Sequence, residues 1–408
     1  MTDGQGAMTD EQRAEVARLE SIGYLAGSVP PPARSGVTVY DDDAAFDGYN
    51  FFTSGHFPGA LLVDMRGNVL HEWSKPFDEV WPDYQDPVLY GRDVLLQRTY
   101  NKSSWRRAHL FENGDVLAIY EGLGLVKLDR DSKVVWEYLG GCHHDLEVTP
   151  DGTIYVLTRE AVMEPGFSKR WPILEDHVSV LDADGNELRR VSLLDAFRKS
   201  KYAPCIARMQ RRGDVMHTNT VELLDGSLAD RIPAFAEGNL LISVLKIDAI
   251  AVLDMEREEI VWAMSGLWSE QHQPTVLPND RLLIFDNRGE RFEQDGGLKE
   301  SRVFEFDPAT HRVYWRYGGS GEDFYSHSCG SAARLPNGNT LITESDNGRA
   351  IEVDPDGQIV WEYVSPYRAG ESGEFIATLF EIVRLPASFP IDWTRAGTDS
   401  EDFGKVHR

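Results

Sequence analysis

Cysteine is scarce in this chain: three residues, Cys142, Cys205 and Cys329, among 408. No two stand at Cys-x-x-Cys spacing, so neither a disulfide framework nor a paired-cysteine motif organises the fold. A long apolar run is missing too; nothing approaches the roughly 20 residues that cross a bilayer as a helix. The N-terminus lacks the basic segment and apolar stretch of a secretory signal. A cytoplasmic location is the expectation, or a periplasmic one if the sequence is a processed form. Positive charge is also short, with 41 Lys and Arg against 67 Asp and Glu and a net charge of -26. Nucleic acid and anionic membranes both reward basic patches, so neither is expected as a partner. A small molecule, aromatic or anionic, is the expected partner, and self-association is left open.

Repetition is abundant. Six apolar strands end in an aspartate-led turn, at Asp64, Asp129, Asp182, Asp254, Asp307 and Asp354. After five of those turns the next strand carries a tryptophan: Trp73, Trp136, Trp262, Trp315 and Trp361. The third repeat, Glu187 to Leu193, lacks it. Upstream in most units lies a strand, a tight turn and another strand, with turns such as Glu112-Asn113-Gly114, Pro150-Asp151-Gly152 and Pro336-Asn337-Gly338. Asn-Gly and Asp-Gly supply the positive φ that two-residue hairpin loops need. Two hairpins make a four-stranded unit, and stacked units of this length predict an all-β fold, a six-bladed β-propeller.

The first unit shows only three strands, Gly48–Ser54, Ala60–Asp64 and Val69–Trp73. The innermost-strand pattern recurs at Leu379–Pro386, which predicts closure of the ring by the C-terminal segment. The expected organisation is residues 1–40 as an N-terminal helix (9–25, with Thr9 and Gln12 as a capping box) and Pro-rich linker, 41–390 as the propeller, and 391–408 as a tail.

Four of the eleven histidines stand at or just before an innermost strand: His144, His217, His272 and His327. His144 and His272 share a register, six residues before the turn prolines Pro150 and Pro278. Four units thus contribute a histidine to one ring at the channel mouth, where propellers bind ligands. His143 is expected on the opposite face, because strand neighbours alternate. Polar neighbours Asp145 and Asn219, and the arginines Arg288 and Arg291 after Phe285-Asp286-Asn287, extend the set; an arginine fork suits a tetrahedral oxyanion. Trp268 and Tyr325 are candidates to stack on an aromatic ligand.

The segments Gly59-Ala60-Leu61-Leu62-Val63-Asp64, His143-His144-Asp145, His217-Thr218-Asn219, the His272 strand with Phe285-Asp286-Asn287, and Leu335-Pro336-Asn337-Gly338-Asn339 together resemble the arylsulfotransferase family. Its members are six-bladed propellers that move a sulfuryl group between phenols through a sulfated histidine. The resemblance spans about residues 45–390. It implies that His217, His272 and an arginine near Arg288 or Arg291 hold the sulfuryl oxygens, that His327 carries the group, and that no cofactor is needed.

The same residues admit a second class. Neutral histidines converging from separate strands also make a Zn, Cu or Fe site, with His144, His217, His272 and His327 as ligands of a lyase, hydrolase or oxidoreductase. A non-catalytic binding module is the third reading.

Overall fold

The computed structural model describes residues 26–85, 101–168, 171, 173–288, 299–319 and 324–394. The expected helix at 9–25, Arg291 and the end of the tail lie outside them. Antiparallel strands supply nearly all regular structure. In chain order they begin with β1 (Gly36–Tyr40), β2 (Gly48–Ser54), β3 (Gly59–Asp64) and β4 (Val69–Ser74), followed by a short helix α1 (Phe77–Val80). Then come β5 (Arg107–Leu110), β6 (Val116–Tyr120), β7 (Leu123–Leu128), β8 (Val134–Val148), β9 (Ile154–Val162), β10 (Ile173–Leu181) and β11 (Glu187–Ser192), with helix α2 (Leu193–Lys199) after them. Next are β12 (Gly213–Asp214), β13 (Thr218–Leu223), β14 (Leu240–Val244), β15 (Ala249–Asp254) and β16 (Glu259–Ser265). The series continues with β17 (His272–Leu277), β18 (Arg281–Asp286), β19 (Arg302–Phe306) and β20 (Val313–Gly318). It ends with β21 (Ser331–Arg334), β22 (Thr340–Glu344), β23 (Arg349–Val353), β24 (Ile359–Val364), β25 (Arg368–Ala369), β26 (Phe375–Ile376) and β27 (Leu379–Pro386).

Three sheets are plain four-stranded meanders, β13 to β16, β17 to β20, and β27-β2-β3-β4. A fourth, β21 to β24, gains β1 as an outer fifth strand. The remaining large sheet runs continuously from β5 to β11, because the 15-residue β8 is outermost strand to β5–β7 and innermost strand to β9–β11. The fold is a β-propeller. Innermost strands neighbour one another in order, β5 beside β8, β8 beside β13, β13 beside β17, β17 beside β21 and β21 beside β27. Arg107 of β5 closes the circle by pairing with Glu381 of β27 at 2.8 Å.

The recurrent aspartates have a local reason. Each carboxylate accepts backbone N–H bonds from its own turn: Asp64 from Arg66 and Asn68, Asp129 from Asp131 and Lys133, Asp354 from Asp356 and Gln358, all at 2.8–3.0 Å. The side chain thereby holds the hairpin's donors. The recurrent tryptophans act between sheets. Trp73 donates its indole N–H to Gly114 O (2.9 Å), Trp136 to Ala183 O (3.0 Å), Trp315 to Pro355 O (3.0 Å) and Trp361 to Met65 O (2.9 Å), each reaching a turn of the next unit. In the unit without a tryptophan, Leu193, Leu194, Ala196 and Phe197 of α2 are buried in the intersheet core instead.

β1 is a strand that the expected linker did not announce. Its Val37-Thr38-Val39-Tyr40 run has the β-branched and aromatic content of an edge strand. No helix among the described residues is long and apolar enough to cross a membrane.

Candidate functional site

The start of each innermost strand forms one level of the channel. At that level His144 Nε2 lies 3.2 Å from His217 Nε2, their rings nearly perpendicular at 76°. Behind them, His143 Nδ1 is 2.7 Å from His144 Nδ1. His143 therefore does not turn away as strand alternation predicts. His144 has a φ of +56°, in the left-handed region, which breaks the alternation and brings the two rings together. His217, Gln273 and Cys329 share this conformation, with φ of +52°, +42° and +53°. Four neighbouring innermost strands thus carry a left-handed non-glycine residue at or near this level, each costing on the order of 1 kcal/mol or more. Such strain persists where the surroundings over-determine it.

The hydrogen bonds around these rings fix their protons. Asp214 accepts from His217 Nδ1–H, so in the neutral ring His217 Nε2 is an acceptor. His144 Nε2–H then donates to it, leaving His144 Nδ1 to accept from His143 Nδ1–H. Burial would raise the Asp214 carboxyl, but the His217 ring at its side overrules that, with help from Lys246 and Arg159, and holds it well below the carboxylate range. Burial pushes His143 and His144 far below the usual imidazole range, reinforced by Arg159 for the first and by the neighbouring rings for the second. Asp176, raised to about 7 by burial and by Asp214, sits 3.8 Å from His143 Nε2 and accepts from Thr218 N at 2.7 Å.

His272 is held differently. Its Nδ1 is 2.8 Å from Asn287 Oδ1, and Asn287 Nδ2 donates to Ser326 O (3.0 Å) and Cys329 O (2.6 Å). Burial lowers His272 to about 3, so it is neutral, with Arg106 and His217 adding to the depression.

Arg106 is the functional candidate that sequence reading missed. It is buried just before β5, and its guanidinium lies 5.4 Å from the Phe380 ring centroid. Its positive charge bears on His144, His272 and Cys329, so it belongs to the same level. A signal was available: Arg106 stands six residues before Glu112, the register that singles out His144 and His272, and Phe380 stands six before Pro386. Attention to histidine alone passed over both. Cys329 completes the circle as a neutral thiol, raised by burial to about 12.

The other expected residues are placed as follows. His327 is exposed; its Nδ1 is 3.1 Å from Tyr325 Oη, and it lies close enough to Asp346 to act on that carboxyl. Asp145 accepts from Leu146 N (2.8 Å), Val221 N (3.0 Å) and Arg107 Nε (2.6 Å), so it links innermost strands below the histidines. Asn219 donates to Gln271 O at 2.8 Å. Arg288 pairs with Glu300. Trp268 is buried among Phe304, Phe306 and their neighbours and donates to Asp248 O at 2.9 Å, a core position and not a stacking platform. Among the described residues the compact buried set with metal-ligand spacing is Glu121, His143 and His144, within 4.8 Å of one another, and it differs from the four-histidine set expected for a metal. Open clefts lined by Glu237, Asp254 and Arg257, and by Arg316, Asp356 and Gln358, involve none of these side chains.

A family model described as arylsulfotransferase (ASST) matches residues 107–366. No curated protein matches the chain. Similar solved structures include a protein of unknown function from Bacteroides caccae, at 12% identity over 82% of this chain and 98% of that one, TM-score 0.49. The Cps50 (Swd1) β-propeller domain of Myceliophteria thermophila is 13% identical over 82% and 88%, TM-score 0.45. Virginiamycin B lyase from Staphylococcus aureus is 9% identical over 64% and 69%, TM-score 0.38.

Proposed function

The chain belongs to the arylsulfotransferase family, and we propose that it is a transferase moving a sulfuryl group between phenolic small molecules through a histidine intermediate in the channel. The observation that carries this reading is the convergence of imidazoles from three innermost strands, His144, His217 and His272, with the guanidinium of Arg106. We count six blades by dividing the continuous sheet at β8, so that each blade delivers one residue to that level.

An anionic donor is attracted by Arg106, the permanent cation of the ring, whose planar fork suits sulfuryl oxygens. A neutral imidazole attacks sulfur, the aryl oxygen leaves with the bonding electrons, and an acceptor phenol reverses the step. Fixed donors aimed at the sulfuryl oxygens stabilise the charge that shifts in the transition state. The His144–His217 pair, anchored by Asp214 and holding one added proton at the start, gives that proton to the leaving oxygen and regains one from the acceptor. No step needs a cofactor.

The test is transfer from p-nitrophenyl sulfate to a phenol, run beside metal analysis of the same sample. Expected are turnover insensitive to chelators, and a loss on the order of 10²–10³ in kcat for Arg106→Ala, as for a lost transition-state donor. Absence of turnover in wild-type protein would sink the reading.

A second reading has its own observation in the Glu121, His143 and His144 set. Arg159 donates to Glu121 at 3.0 Å, however, and a guanidinium at that carboxylate opposes a dication there. Stoichiometric metal lost in His143→Ala would favour it.

A further inference from the structure

Within the sulfuryl-transfer reading, the hydrogen-bond pattern distinguishes the histidines from one another. A nucleophilic imidazole needs one nitrogen protonated and fixed, and the other bare and facing the reacting atom. In His144 and His217 both ring nitrogens are engaged, with His143 and His217 in the first case and with Asp214 and His144 in the second. His143 Nε2 faces the Asp176 carboxylate at 3.8 Å, which leaves no room for a sulfuryl group between them and repels its charge. His327 is exposed, on a ring whose Nδ1 bonds Tyr325.

Of these rings, His272 alone has one nitrogen fixed by a neutral acceptor and the other with neither a partner nor a facing carboxylate among the described residues. Asn287 Oδ1 can only accept, so Nδ1 of His272 carries the proton. Nε2 is then a bare lone pair, buried, with no hydrogen-bond partner among the described residues. The rigidity of Asn287 is itself explained, because its amide N–H groups are spent on Ser326 O and Cys329 O. Arg106 and His217 are the charged and titratable neighbours that bear on this ring.

We propose that His272 Nε2 is the atom that receives the sulfuryl group, and that Asn287 is the positioning residue that fixes its tautomer. The Nε2 lone pair forms the N–S bond as the ArO–S bond breaks, and the electron pair leaves with the aryl oxygen, which takes up one added proton that the His144–His217 pair holds at the start of the cycle. The N-sulfonated ring keeps its Nδ1–H on Asn287. Attack by the acceptor oxygen breaks the N–S bond, returns the electron pair to Nε2 and gives the acceptor's proton to the same pair. This assignment departs from His327, which the family resemblance implies. Asn287 presents a neutral carbonyl oxygen to His272 where Asp214 presents a carboxylate to His217, so the first ring is set for attack and the second for the proton-exchanging pair.

Trypsin separates the two candidates, with His272 in the peptide Glu258–Arg281 and His327 in Tyr317–Arg334. Wild-type protein is mixed with p-nitrophenyl sulfate without acceptor, quenched at alkaline pH, digested and mapped by mass. The expected result is an added SO₃ on Glu258–Arg281, kept in His327→Ala, lost in His272→Ala, and formed at least tenfold more slowly in Asn287→Ala. Imidazole in the medium should restore turnover to His272→Ala, which a variant damaged only in folding would not show. Turnover with the label on Tyr317–Arg334, or with no covalent label, overturns the assignment and leaves the transferase reading standing. Absence of both turnover and label overturns both.

Discussion

His272 is a buried base that the fold refuses to protonate, and this has a consequence for stability as well as chemistry. Its folded value of about 3 lies below the ordinary 6.5. Above 6.5 neither state binds the proton, and there is no effect. Between 6.5 and about 3 the unfolded chain binds a proton that the folded protein excludes, so stability falls as pH falls. The penalty reaches on the order of 2 kcal/mol by pH 5. His272→Gln removes it. Thermal melts at pH 7.5 and pH 5 should therefore show wild type losing ground to the variant on acidification, and a constant gap between them would refute the buried neutral ring. At this scale the sequence was half legible. His144 and His272 could be read from their register and His217 from its place just before an innermost strand, whereas Asp214, the Asn287 contact and the left-handed turn that brings in His143 depend on backbone geometry that no spacing encodes.

Among the elements, four outer-strand tryptophans, Trp73, Trp136, Trp315 and Trp361, work as stitches to the next sheet, and the stitches are not equal. Trp361 is fully buried, bonds Met65 O and lies under Arg384, whose guanidinium is 4.9 Å from its ring centroid. Trp315 makes the same bond to Pro355 O with part of its indole exposed. Replacing Trp361 by Phe removes a buried donor and leaves a void, for about 2 kcal/mol, whereas Trp315→Phe should cost about 1 kcal/mol or less. Urea unfolding of both variants checks the order; equal losses would mean that the intersheet bond is incidental. The three strands of the first unit and the closing strand Leu379–Pro386 were legible almost to the residue, because turn residues such as Asp64 and Pro386 punctuate them. β8 was not: Leu139-Gly140-Gly141 interrupts the pattern and reads as a break, yet hydrogen bonds continue on both sides, Leu125 opposite Tyr138 and Leu123 and Thr158 opposite Cys142.

For the whole molecule, closure rests on β27. It pairs with β2 from Gly48 opposite Pro386 to Ser54 opposite Leu379, and Arg384 carries a fully buried ion pair to Glu352 at 2.8 Å. Ending the chain after Phe375 would leave β2 unpaired on its inner side and Glu352 buried without its cation, a loss of several kcal/mol for the charge alone. Such a protein should fail to show a cooperative melt and should be rapidly cleaved by protease; a melt like that of the full chain would show that closure is dispensable. The same ring arrangement bears on how this protein can change. Arg106, His144, His217, His272, Cys329 and Phe380 stand one at or near the start of each innermost strand, β5, β8, β13, β17, β21 and β27 in turn. They form a combination of six separately adjustable positions, and two of them, a thiol and a phenyl ring, supply neither a base nor a cation. On the proposed transferase reading, single substitutions at these positions would alter what the channel selects while leaving the Asp turns and Trp stitches untouched, so a lineage built on this frame could explore new ligands by recombining single residues.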